Sequence, residues 1–326
     1  MLGKQKELVG GQSQDLLGGG LVFTGAAMFG FHSSVIKMAY GVGASVSQVF
    51  FYEFFLAAII LFLIGWLGGG LSFRSVFKTK GFLKVSVWGT IGGGGTALCL
   101  YLALLTLPVS LSIILLFQYL PWVFLLDFIF RRKRPSKRQW WALGLIGIGT
   151  LLAAGGSIND WSGSTVTGIF WGLLSGICYG SFLFKAREFG GIGTPVLRSF
   201  VMCVVISGLA LGFLLIGGVK VWEFPVGVLG DFWLIICVLA VIGQVIPLFS
   251  YSKGIPLIGS SVSGVIASIE LPVATVVSCF LLNELVVLAQ WGGVALITFA
   301  VILANWPAHG IRGLRRVWSS NGKGEG

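Results

Sequence analysis

Apolar runs of about 20 residues follow one another along almost the whole chain, and a run of that length crosses a bilayer core as a helix. They fall at 17–39, 47–67, 82–104, 108–130, 139–156, 166–186, 195–217, 231–252, 257–281 and 288–306. Only 10% of the 326 residues are charged, against about 25% in a soluble domain, which excludes an ordinary globular surface. The expected fold class is an all-α polytopic membrane protein with ten transmembrane helices.

The loops set an orientation. Arg74, Lys78, Lys80 and Lys84 follow span 2, "RRKRPSKR" (131–138) follows span 4, Lys185 and Arg187 follow span 6, and Lys253 follows span 8. With Lys4, Lys6 and the tail residues Arg312, Arg315, Arg316 and Lys323, one side holds 19 of the 22 basic residues. The other side carries Lys220 among Asp160, Glu223, Asp231 and Glu284. The positive-inside rule makes the basic side cytoplasmic, with both termini there, in a multi-pass protein of the inner (plasma) membrane. The net charge of +11 therefore belongs to topology, and no nucleic-acid partner is expected. The polar stretch 1–16 reads as an uncleaved cytoplasmic tail and 307–326 as a basic cytoplasmic one. Trp66, Trp140, Trp141, Trp161, Trp222, Trp291 and Trp306 sit near span ends as interfacial anchors. Cys99, Cys178, Cys203, Cys237 and Cys279 all lie in apolar runs, with neither metal-ligand spacing nor a disulfide pattern.

The chain repeats itself. "SLSIILLFQYLP" ends at Pro121 and "SVSGVIASIELP" at Pro272, while "QWWALGL" starts at Gln139 and "QWGGVAL" at Gln290, each pair 151 residues apart. "FGFHSSVIK" (29–37) similarly pairs with "YGSFLFK" (179–185). The two halves, 17–156 and 166–306, hold five spans each. Five is odd, so the second half enters the membrane from the opposite side and the repeats are inverted. Inverted repeats are a secondary-transporter signature, with the cargo site near the midplane where the halves meet.

These motifs resemble the drug/metabolite transporter superfamily in its EamA-type branch, over nearly the whole chain. The match is an aromatic-Gly followed by Lys in the first span of each half, and a fourth-span proline followed by a terminal acid, a Gln and glycines: here "ELPVATVVSCFLLNE", ending at Glu284. The first half departs, with Lys133 in place of that glutamate. Arg198 stands where second spans of such repeats often carry arginine, and Glu53 occupies the corresponding region of the first half. The resemblance implies a central cavity lined by spans 1, 3, 4, 6, 8 and 9, with spans 5 and 10 peripheral.

Polar residues inside spans are costly, at least about 2.5–3.5 kcal/mol for a charge at the bilayer centre, and mark candidate sites. Glu270 lies fourteen residues into span 9, two before Pro272. Pro272 donates no backbone hydrogen bond, which frees the Ser268 carbonyl. Carboxylate and carbonyl together suit a cation or ammonium group. Tyr119 is the repeat mate of Glu270, Gln118 is its neighbour, and Gln244 lies mid-span 8 between Gly243 and Pro247. His32 and Glu53 lie at similar depth in spans 1 and 2 and are expected to pair. Glu53 joins Glu270 as a proton-coupling candidate. Tyr101, Tyr179 and Tyr251 either line the cavity or pack. Asp127 precedes Arg131 by one turn and forms a local pair. The glycine run 89–95 follows no strand, so it reads as close packing or a pliable helix rather than a phosphate loop. Lys37, Lys185 and Arg198 lie toward span ends, which favours a neutral, zwitterionic or cationic cargo over a phosphorylated one.

The reading is a secondary transporter of a small metabolite, an amino acid or related compound exported by proton exchange. Its partners are that cargo, membrane lipid and a coupling proton, and it acts as a monomer or homodimer. No cofactor is called for, and no P-loop, HExxH, GxSxG or Asp-rich motif supports ATPase or enzyme chemistry. A lipid-carrier flippase or scramblase, or a channel, is the alternative.

Overall fold

The computed structural model describes residues 2–68, 81–132, 134–157, 162–186, 194–216 and 229–306. The tail at 307–326 lies outside the described residues, as do Arg74, Lys78, Lys80, Lys133, Asp160, Trp161, Arg187, Lys220, Trp222 and Glu223. The described chain forms ten long helices, all but α5 long and apolar enough to cross a membrane: α1 (Leu2–Gly41), α2 (Val46–Leu67), α3 (Phe82–Leu104), α4 (Val109–Arg131), α5 (Lys137–Ser157), α6 (Gly163–Ala186), α7 (Pro195–Ile216), α8 (229–258), α9 (260–282) and α10 (Leu288–Asn305). Large apolar side chains on their outer faces, such as Ile216, Phe280 and Leu288, are more than 80% exposed. That is the composition of a lipid-facing surface.

Helix packing follows a two-fold logic. The first helix of each half packs against the third and fourth of the other: α1 on α8 and α9, α6 on α3 and α4. The second helices α2 and α7 pair with each other, as do the fifth, α5 and α10. Exchanging the halves maps this set of contacts onto itself, which is the architecture of two inverted five-helix repeats.

The irregularities repeat as well. α3 contains a wide π-helical stretch at Gly89–Gly94 and α8 another at Ala240–Val245, 151 residues on. α4 breaks between Val109–Leu116 and Tyr119–Arg131, and α9 between Ser260–Ala267 and Glu270–Leu282. Pro121 and Pro272 explain the breaks. Neither has an N–H to give the carbonyl four residues earlier, so the ladder fails at Phe117 and at Ser268. In α4 the Phe117 carbonyl instead takes a tighter bond from the Leu120 N–H at 3.3 Å. Both helices end in a left-handed residue, Arg132 and Asn283, each with φ 52°.

The aromatic-Gly pairs supply the fit. A Cβ on Gly30 would come within 3.0 Å of the Glu270 carbonyl oxygen, and one on Gly180 within 2.9 Å of the Tyr119 carbonyl oxygen. Each glycine therefore lets its helix lie directly on the break in the opposing half, while its aromatic neighbour, Phe29 or Tyr179, turns toward the interior.

Two boundaries differ from the sequence reading. α1 is one helix from Leu2, continuous with the segment read as a tail. Lys253 is not in a link: α8 runs on to Ile258, and Lys253 Nζ lies 4.2 Å from the centre of the Phe249 ring. Pro256 lies inside the helix, where it cannot donate to the Ser252 carbonyl four residues earlier, and the helix nonetheless continues past it. The turn is made at Gly259, with φ +80°, a conformation that glycine adopts without steric cost.

Candidate functional site

Two carboxylates, one buried and one partly exposed, sit between the halves in opposite states. Glu53, on α2, is wholly enclosed and fully bonded. His32 Nε2 lies 2.9 Å from its Oε1, and Gln244 Nε2 donates to the same oxygen at 3.0 Å. The Tyr101 hydroxyl donates to Oε2 and lies 3.4 Å from His32 Nε2. Tyr40 in turn donates to the Tyr101 carbonyl at 3.1 Å. The network ties α1, α2, α3 and α8 together. The expected His32–Glu53 contact is present. Tyr101 and Gln244 converge on the same carboxylate, and nothing in their spacing signals that. Gln244 reaches it from the π-helical stretch of α8, a type of irregularity found often at functional sites.

Glu270 is the first residue after the break in α9. It lines two cavities, one of about 460 Å³ and one of about 1050 Å³. None of the described residues hydrogen-bonds or ion-pairs with its carboxylate. Tyr179 and Tyr251 also line both cavities, and Tyr119 lines the larger. Tyr119 and Tyr179 meet edge to face at 4.9 Å, and Tyr251 lies 5.9 Å from Phe29. Aromatic faces around a carboxylate favour a cation.

His32, Tyr101 and Gln244 face the smaller cavity. Glu53 lines neither. Gln118, expected beside the cargo, also lines neither cavity: its Nε2 donates to Thr150 Oγ1 of α5 at 2.6 Å. The break that exposes Tyr119 turns Gln118 to the other face of α4. Asp127 pairs with Arg131 at 3.0 Å as expected.

The cavity walls include more helices than the resemblance implies. α7 contributes Arg198, Ser199, Met202 and Cys203 to the smaller cavity. Gly93 of α3 explains this approach, since a Cβ there would lie 3.2 Å from Met202 Cε. The larger cavity is bounded by Lys137 and Arg138 at the start of α5 and by Asn305 and Trp306 at the end of α10. Arg198 thus faces a cavity, although it lies only three residues into α7. Among the described residues no group of three or more His, Cys, Asp or Glu is placed to hold a metal ion.

Residues 16–155 and 166–306 each match the model of the EamA-like transporter family. The two matched segments correspond to the two halves. The chain is 25% identical over 319 residues to the uncharacterized transporter sll1319 of Synechocystis sp., covering 90% of this chain and 94% of that one. A solved crystal structure with 18% identity superposes with a TM-score of 0.63 over 94% of this chain and 99% of the other, a likeness of fold.

Proposed function

We propose that this chain, which belongs to the EamA-like transporter family, moves a small ammonium-bearing metabolite by alternating access, with Glu270 receiving the ammonium group. It is a multi-pass membrane transporter and not an enzyme. The cargo class, the coupling and the direction are our reading. The observation that carries it is the contrast between the two carboxylates. Glu53 has both oxygens occupied by protein donors, whereas Glu270 presents its carboxylate to two cavities with no protein partner. A carboxyl group so placed can hold either a proton or an ammonium cargo, so cargo and proton exchange at one site. Arg198 stands on the wall of the smaller cavity, and the cargo class we read is an amino acid or a close relative. The segregation of basic loops supports an inner-membrane protein with both termini in the cytoplasm, and export against an inward proton gradient fits that orientation.

A thermal-shift screen of the purified protein tests the cargo class. Amino acids and alkylammonium compounds are expected to raise the melting temperature of wild type and not of Glu270→Gln. Stabilisation by carboxylates without an ammonium group, unaffected by the substitution, would refute it.

A further inference from the structure

The end of the molecule away from Lys137 and Arg138 is closed by one carboxylate that is neither in a span nor part of the site above. Glu284 follows the left-handed Asn283 at the end of α9. Its N–H bonds back to the Ser278 carbonyl at 3.3 Å, which fixes the direction of the chain after the helix. Its side chain crosses to the other half. Both oxygens accept from the Val109 N–H, the first of α4, at 3.0 Å each. Oε1 also meets Lys37 Nζ of α1 at 2.9 Å. The Glu284 side chain is only 13% exposed. A carboxylate suits this position twice over, since the open N–H groups and dipole of a helix start favour an anion and Lys37 supplies a counter-charge.

We propose that Glu284, with Lys37 and the start of α4, forms an electrostatic gate at the end of this transporter away from Lys137 and Arg138. The three elements joined are the first helix and the broken helix of one half and the end of the broken helix of the other, the parts that must separate for a cavity to open on this side. Ser33 lines the smaller cavity one turn inward from Lys37 on the same helix, so the gate stands directly over that cavity. Among the described residues the opposite end shows no carboxylate bonded to a helix start; Arg131 ties the halves there, donating to the Phe184 carbonyl at 3.2 Å. The repeat mate of Val109 is Ser260, which again starts a helix, and the mate of Asn283 is Arg132, which has the same φ of 52°. In the sequence the mate of Glu284 is Lys133, a cation, which lies outside the described residues. The two ends therefore share a backbone plan and differ, in the sequence, in charge at this position. The larger cavity, bounded by Lys137, Arg138, Asn305 and Trp306, lies at the opposite end. The resting protein holds its Glu284 end shut and opens toward the basic loops. The gate rests on the transporter reading, and its placement on the outer face rests on the orientation proposed above.

The test places a cysteine at Ser33 and labels it with a membrane-impermeant maleimide in right-side-out and inside-out vesicles, with the same protein lacking the added cysteine as background. With Glu284 and Lys37 intact, labelling is expected from the basic-loop side, in inside-out vesicles. Glu284→Gln keeps an acceptor for Val109 but loses the charge, and Lys37→Met loses the counter-charge. Each is expected to raise labelling from the other side about tenfold, the factor given by about 1.4 kcal/mol of gate-closing energy. Lys37→Arg is expected to leave it low. Unchanged labelling in both charge-removing variants, with melting curves that show a folded protein, would overturn the gate. If instead the two vesicle types exchange roles while the variants still open the quiet side, the gate stands and the orientation is wrong.

Discussion

Removing the Glu53 carboxylate is the perturbation whose cost the geometry defines most closely. Glu53→Ala leaves three partners without their acceptor: His32 Nε2 at 2.9 Å, Gln244 Nε2 at 3.0 Å and the Tyr101 hydroxyl. Hydrogen bonds between membrane helices average about 0.6 kcal/mol and reach about 1.7 kcal/mol. Three of them give a loss of about 2–5 kcal/mol. Tyr101→Phe removes only one of these bonds and keeps the ring that packs edge-on against Phe50 at 5.9 Å, so its cost is about 0.6–1.7 kcal/mol. Gln244→Ala should fall in a similar range. Melting curves of the purified protein in one detergent would order the variants, with Glu53→Ala clearly lowest. A double-mutant cycle on Tyr101→Phe and Glu53→Ala should show that the hydroxyl matters little once the carboxylate is gone. If Glu53→Ala melts within error of Tyr101→Phe, the carboxylate does not organise the four helices and the argument from convergent donors is wrong.

Gly180→Ala puts a methyl group 2.9 Å from the Tyr119 carbonyl oxygen and should cost about 1–3 kcal/mol as overpacking, read as a lower melting temperature. Gly144→Ala, with nothing within 4 Å of the added atom, should instead be neutral or stabilise by up to about 1 kcal/mol. Asp127→Asn removes the charge from the i,i+4 pair with Arg131 and should lower the melting temperature less than Glu53→Ala does, because Arg131 keeps its bond to the Phe184 carbonyl. Asn283→Gly should keep the left-handed end of α9, with φ 52°, and be tolerated, whereas Asn283→Val should lower stability, because β-branched residues resist positive φ.

The spans were legible because a bilayer imposes a length and a polarity on every segment that crosses it. The repeat was legible because Pro121 and Pro272 share an offset with the Gln-Trp pairs. The pairing of His32 with Glu53 followed from two costly polar groups at one depth. Other features depended on information that a linear pattern lacks. The extent of α8 was missed because Lys253 was read as a loop charge, while the helix runs on to Ile258 and turns at Gly259. Gln118 was misplaced because a helix break rotates everything after it, so adjacency to Tyr119 does not put two side chains on one face. The convergence of Tyr101 and Gln244 on Glu53 crosses 48 and 191 residues of chain, and only the packing of α3 and α8 against α2 reveals it. Glu284 looked like a loop acid at a family-typical position. Its bond to Val109 joins residues 175 apart.

The central claim is that Glu270 is where cargo and proton exchange. Its most direct test is uptake of an ammonium-bearing metabolite found in the thermal-shift screen, into proteoliposomes, by wild type and Glu270→Gln across a range of pH. Uptake by wild type is expected to vary with pH and to respond to an imposed proton gradient. Glu270→Gln is expected to melt like wild type and to lose both responses, keeping at most a pH-independent exchange of cargo. A Glu270→Gln protein that transports at the wild-type rate with the wild-type pH profile would contradict the account and reduce the carboxylate to a polar group on a cavity wall.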